Sequence, residues 1–244
     1  MTLQMNVQIM KLEVRKRLTR IAVTVLPFIG ILILTLSCEL KEDDVDLGEL
    51  SLVSLFHTSP DGPNLDILVD NEKINNVPFE YGKNTGYLQF SPGNRNLKFR
   101  PYGGGAIAID QTITLEPDED FSVFVVDEYD KATVISLWDN PDPPAAGNAR
   151  VRFINLSPDS QPLQLKIKDV TIPLTVGTSF KEASQFMNVE AKSQDFQITS
   201  GGNVVLELPG SVLQDQWYYT IYVIGYVTPP TGNTNTLSAQ VFIH

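Results

Sequence analysis

The chain has one cysteine, two histidines and no excess of positive charge, and each shortage closes off a class of function. A single cysteine, Cys38, forms no intrachain disulfide, so any folded part is held by its core alone. Structural zinc uses four Cys or His ligands, more than the chain holds. His57 and His244 are the only imidazoles and no Gly-x-Ser-x-Gly elbow is present, whereas nucleophilic catalysis needs a base beside its nucleophile. A formal charge of −11 over 244 residues repels phosphate backbones, which excludes nucleic acid as a partner. Amphipathic helix is missing too. Beyond Cys38 no window long enough for a helix carries an apolar stripe at helical spacing.

What is present is an internal echo. Ser59-Pro60-Asp61 returns as Ser157-Pro158-Asp159, 98 residues later. At that offset Leu55 and Phe56 fall on Phe153 and Ile154, and Ile67 and Val69 on Leu165 and Ile167. With one residue inserted, Tyr87, Phe90, Leu97 and Phe99 fall on Phe186, Val189, Phe196 and Ile198, and FSVFVV from Phe121 answers YTIYVI from Tyr219. Apolar rhythm repeats while polar side chains drift, the pattern of a copied core. A unit of roughly a hundred residues predicts tandem domains and not solenoid turns.

The first 37 residues read as a targeting signal and stand outside the fold. Lys11, Arg15, Lys16, Arg17 and Arg20 precede the apolar run IAVTVLPFIGILILTLS, which ends at Leu34-Thr35-Leu36-Ser37-Cys38. This resembles a bacterial lipobox, whose cysteine is lipidated and becomes the mature N-terminus; Thr35 stands where that pattern favours leucine. Residues 21–37 also approach the length of a transmembrane anchor, and an incidental cysteine beside an ordinary cleavage site is the other alternative. Coincidence of the only cysteine with the end of the apolar run favours lipidation. The following Lys41-Glu42-Asp43-Asp44 resembles the export signal of Gram-negative surface lipoproteins, or else is a solvated acidic tether. Losing the basic leader makes the mature chain more acidic than its formal charge. The first copy holds most of that acid, which either attracts cations or a basic partner or simply keeps a surface protein soluble.

From Leu52 onward short strands alternate with turns. LVSLFH, LDILVD, GYLQFS, NLKFRPY, AIAIDQTITL, FSVFVVD and ATVISLWD are rich in β-branched and aromatic residues. Pro60-Asp61-Gly62-Pro63, Ser91-Pro92-Gly93-Asn94, Gly103-Gly104-Gly105 and Glu116-Pro117-Asp118 break them. The expected fold is all-β: two tandem antiparallel β-sandwiches, immunoglobulin-like, after a lipoprotein signal peptide. The boundaries expected are a signal peptide at 1–37, an acidic lipid tether at 38–50, sandwich 1 at 51–139, a proline-rich linker at 140–147 and sandwich 2 at 148–244.

His57-Thr58-Ser59-Pro60-Asp61-Gly62-Pro63 and Asn64-Leu65-Asp66-Ile67 resemble the hallmark of the family catalogued as domain of unknown function 4397. Val77-Pro78-Phe79, Gly86-Tyr87 and Asn148-Ala149-Arg150-Val151-Arg152-Phe153 resemble its other recurring pieces, so the resemblance spans 51–244. It implies a fold and a secreted or lipid-anchored habit, with no reaction attached. The second copy departs from the hallmark: Asn155 replaces His57 and Gln164 replaces Asp66.

Candidate sites follow from these pieces. His57, Ser59, Asp61 and Asp66 form the candidate ligand-binding loop, against a purely structural account in which Pro60 sets the turn and Asp61 bonds nearby amides. Asp118-Glu119-Asp120 and Asp127-Glu128-Tyr129-Asp130 offer oxygen ligands of the kind calcium prefers, but match no EF-hand spacing and lie in expected turns. Trp217, Tyr218, Tyr219, Tyr222 and Tyr226 share one expected strand, where one face is core and the other is either a sugar-stacking platform or a half-exposed sheet face. The function expected is a non-catalytic, lipid-anchored envelope protein of the outer membrane, displayed at the cell surface and held to the membrane through Cys38. It needs no cofactor or metal, and its partner is a glycan or a protein. The rivals are carbohydrate binding through the aromatic strand and a hydrolase using Asp61 and Asp66.

Overall fold

Residues 50–244 are described, in a computed structural model; the leader, Cys38 and the tether up to residue 49 lie outside the described residues. Alternation decides which strands face solvent. In β5 (Gly93–Pro101) and β6 (Ile109–Leu115) the apolar residues Leu97, Phe99, Ile109, Ile113 and Leu115 are buried, between half-buried neighbours in β5 and mostly exposed ones in β6. These strands form the outer sheet, in the order β3-β2-β5-β6 with β2 (Leu65–Val69) and β3 (Glu72–Lys73). β1 (Ser51–His57) and β7 (Asp120–Val126) are buried on both faces. They are the centre of the inner sheet β4-β1-β7-β8, with β4 (Asn84–Phe90) and β8 (Thr133–Trp138) at its edges. A first core of Val53, Leu55, Leu65, Ile67, Leu97, Phe99, Val123 and Val125 fills the space between the two sheets.

The second half repeats this order. β9 (Asn148–Asn155), β11 (Met187–Glu190), β14 (Tyr218–Ile224) and β15 (Ser238–Ile243) form the inner sheet β11-β9-β14-β15. β10 (Leu163–Ile167), β12 (Ser193–Ser200) and β13 (Asn203–Val212) form the outer sheet. Val151, Phe153, Leu165, Phe196, Ile198, Tyr219 and Ile221 make its core.

The architecture is the expected all-β sandwich, with a difference in pairing. β1 lies parallel to β7, and β9 to β14, so each inner sheet is mixed and not wholly antiparallel. The register is the same in both halves: Leu52 opposes Asp120, and 98 residues on Arg150 opposes Tyr218. Parallel neighbours cannot be joined by a hairpin; here the chain leaves β1 through the outer sheet before returning.

A third core lies between the two inner sheets. Phe56, Phe124, Val126, Ile154, Leu156, Tyr222 and Ile224 meet there. Phe56 stacks on Phe124 at 4.4 Å and meets Phe242 edge-on at 4.8 Å and Tyr222 at 5.6 Å. Strands buried on both faces read as near-continuous apolar runs, which is how FSVFVV and YTIYVI come by their composition. The four sheets therefore stack as outer, inner, inner, outer, and the described residues form one unit.

Candidate functional site

Both Ser-Pro-Asp segments fold into the same tight turn. The amide of Gly62 donates to Ser59 O at 3.2 Å, and that of Ser160 to Ser157 O at 3.4 Å. Asp61 Oδ1 accepts the amide of Tyr129 at 2.7 Å; Asp159 accepts those of Val227 and Thr228, both at 2.8 Å. Tyr129 and Val227 are again 98 residues apart, so each aspartate anchors the loop that follows its β7 or β14. The Asn233 and Asn235 side-chain amides donate to Pro60 O, tying the first turn to the second half.

The four residues of the expected ligand loop occupy different surroundings. His57 is buried at the end of β1, with Nε2 against Pro63 O at 2.9 Å. Burial pulls its pKa down, and the Pro63 carbonyl only partly offsets this. Its Nδ1 and the buried Ser59 Oγ have no hydrogen-bond partner in the protein and no exposure to solvent. Asp61 is exposed and occupied by Tyr129. Asp66 is buried in the outer sheet between Lys73 at 2.5 Å and Arg100 at 3.1 Å. Desolvation raises the Asp66 pKa, but the two cations outweigh it and hold the carboxyl below its ordinary range. His57 and Asp66 thus lie in different sheets, each with its own structural bond. In the second copy Asn155 does the work of His57 by other means, bonding Ser160 Oγ, Thr178 O and the Ser157 amide.

The acidic turns are likewise engaged. Asp127 pairs with Lys181 at 2.6 Å, Glu128 with Lys131, and Glu119 accepts the indole N–H of Trp138 at 2.5 Å. Among the described residues no cluster of three or more His, Cys, Asp or Glu side chains is arranged to hold a metal. Of the aromatic strand, only Trp217, which is exposed, and Tyr218, which is half-buried, stay near solvent. Tyr219 lies in the second core, Tyr222 in the third, and Tyr226 is buried as well. The expectation of one free face fails because the inner sheets pack back to back.

The polar constellation that does form was not anticipated. Asp139, just after β8, and His244, just after β15, hold matching places: their amides donate to Asp120 O and Tyr218 O, residues 98 apart. Asp139 Oδ2 accepts from Tyr87 at 2.8 Å and from Ser122 at 2.7 Å, and Oδ1 accepts from Arg152 Nη2 at 2.6 Å. Arg152 also donates to Trp138 O and Thr220 Oγ1, and its guanidinium lies 4.6 Å over the ring of Phe186. His244 Nδ1 is 2.6 Å from Tyr87 Oη, and Nε2 is 2.7 Å from Thr220 Oγ1. Since Tyr87 spends its proton on Asp139 and Thr220 accepts from Arg152, one arrangement satisfies every group: a neutral His244 that donates from Nδ1 and accepts at Nε2. Ser122 and Thr220, 98 residues apart, and Tyr87 and Phe186, aligned in the repeat, are the signal that placed these positions opposite one another. Ser122, Asp139, Arg152 and Thr220 are all buried, so the constellation has no open nucleophile.

The network sets a pH dependence. Burial depresses His244 to about 4; the charge of Asp139 pulls the other way, and the weaker effect of Arg152 adds to the lowering. Unfolded, the same imidazole titrates near its ordinary value of about 6.5. Between those two values the unfolded chain takes up a proton that the folded chain refuses. Stability therefore falls as pH drops from about 6.5 to about 4, by about 3 kcal/mol from this site. His57 adds to the fall with the same sign. Urea denaturation across this range should show the decline in the wild type and a shallower slope in His244→Gln; an unchanged slope would remove His244 as its source.

A cleft of about 480 Å³ opens beside the network, between the end of β8 and the segment leading into β11. Trp138, Asp142, Arg150, Ser184, Gln185 and Phe186 are among its lining residues, and Arg152 forms part of its wall.

Fold and site together describe a β-sandwich protein with a buried polar network centred on Asp139 and Arg152. The family model Domain of unknown function (DUF4397) matches residues 51–166. The match covers the first sandwich and the start of the second. No curated protein matches the chain. Among solved structures, one described as alpha-glucan binding by a streptococcal virulence factor is similar at 11% identity, covering 70% of this chain and 92% of that one with a TM-score of 0.24.

Proposed function

We propose that this chain is a lipid-anchored protein of the Gram-negative outer membrane, displayed at the cell surface, whose fused sandwiches bind a partner without catalysis. The observation that carries the non-catalytic reading is the dispersal of His57, Asp61 and Asp66: each is taken up by a separate structural bond. General acid–base or nucleophilic work needs such groups within hydrogen-bond reach of one reacting atom. The only other histidine is locked between Tyr87 and Thr220. Anchoring is supported by the position of the sole cysteine at the end of the apolar leader.

Two measurements test the placement. Labelled palmitate should enter the wild-type chain and be absent from Cys38→Ala; label that persists in the variant overturns lipidation. Protease shaving of intact cells should remove the sandwiches, and full protection would overturn surface display.

A further inference from the structure

We propose that the cleft beside β8 is a binding site for an acidic saccharide, a sugar bearing a carboxylate. The inference rests on the reading of this chain as a binding module and names its ligand class. A volume of about 480 Å³ lies in the range of small-ligand sites. Arg150 supplies the charge. Its Nε donates to Asp142 O at 3.2 Å and its Nη1 to Phe186 O at 3.4 Å, so two carbonyls aim the guanidinium without neutralising it. Arg95, Arg100 and Arg152 each sit in an ion pair, and among the described residues Arg150 is the arginine that does not. Arg150 is thus the cation of the cleft left without an ion pair, since Arg152 is matched by Asp139, and the Asp142 carboxylate in the lining forms no ion pair with it. Nη2 makes no bond within the protein, and a guanidinium donor of this kind takes a carboxylate oxygen.

The sugar is indicated by the rest of the lining. Trp138 is 51% exposed, and its indole N–H is held by Glu119, which fixes the ring as an apolar platform for a pyranose face. Ser184, Gln185 and Asp142 offer hydroxyl, amide and carboxylate partners for sugar hydroxyls. Arg152 donates to Trp138 O at 3.0 Å, so the buried network braces the platform before any ligand arrives. Two other cavities of similar size lack this combination. The one beside Arg95 has its cation paired with Asp70 and is lined by Glu72, and the one along Leu174–Met187 has neither a cation nor an aromatic ring.

The test uses residues 46–244, which enclose all three apolar cores. Carboxylated glycans and their methyl esters, the same sugars without the charge, are arrayed beside neutral glycans and carboxylate-terminated peptides. Binding should be confined to the carboxylated glycans, and Arg150→Gln should weaken it by about 10- to 100-fold while the melting temperature holds. Trp138→Leu should weaken it independently. Equal binding of acid and ester, or undiminished binding by Arg150→Gln, overturns the proposal, as does an array on which no carboxylated glycan binds. A neutral glycan or a peptide bound in their place overturns the ligand class and leaves the binding module standing. Shortening of the bound glycan would support the site and overturn the non-catalytic reading instead.

Discussion

Asp139→Ala is expected to destabilise the protein by about 3–5 kcal/mol, among the largest losses available to a single polar side chain here. The pair it breaks is sealed, with Arg152 4% and Asp139 0% exposed at their side chains. Removing the carboxylate strands the guanidinium in a space closed by Phe186 and Thr220, with only hydroxyl and carbonyl acceptors left. Tyr87 and Ser122 lose their acceptor in the same step. Because the penalty comes from the uncompensated charge, deleting both partners should recover part of it. Asp139→Leu combined with Arg152→Met should be less destabilised than Asp139→Ala alone, a non-additivity that a double-mutant cycle measures directly. Urea midpoints decide the matter: a loss under about 1 kcal/mol for Asp139→Ala, the range of an exposed pair, would mean that water reaches the network.

Strands and turns were legible in the sequence because they are local. The turn at Ser59 needs only a proline, an aspartate and the residues beside them, and its second copy at Ser157 folds alike even where His57 has become Asn155. The network was not legible, because its members meet only once the two inner sheets pack. Asp139 stood at the edge of an expected linker, His244 stood out only as a scarce imidazole, and Tyr87 was aligned with Phe186 as an apolar position. Arg150 and Arg152 belong to a recurring motif, which says nothing of what they touch. The aromatic strand was misjudged for the same reason. Tyr219 and Tyr222 do point to opposite faces; the second core buries Tyr219, and the third core closes the face of Tyr222 that a lone sandwich would leave open. Two-sided burial had nonetheless left a trace: FSVFVV and YTIYVI lack the alternation that β5 and β6 show, and a strand with one wet face keeps that alternation.

The third core supplies the other large effect. Phe56→Ala should cost about 3–5 kcal/mol, the usual range for a fully buried phenylalanine. Its consequence should also differ in kind from that of a neighbouring substitution. Leu55 points into the first core and Phe56 into the space between the inner sheets. Leu55→Ala should lower the stability of the whole molecule while the halves still unfold together. Phe56→Ala removes the ring that touches Phe124 from its own half and Tyr222 and Phe242 from the other, so the halves should separate into two transitions. The chain carries its own reporters, since its two tryptophans fall one in each half, Trp138 at the end of β8 and Trp217 before β14. Single-tryptophan variants should give coincident urea midpoints on the wild-type background and divergent ones with Phe56→Ala. Coincidence in both would show that the Pro141–Gly147 connection and the polar network couple the halves without the aromatic cluster. Divergence would bear on binding as well, because the cleft takes Trp138 from one half and Arg150 and Phe186 from the other. A site shared in this way keeps its geometry only while the inner sheets stay packed, so Phe56→Ala should weaken ligand binding from a position that does not line the cleft.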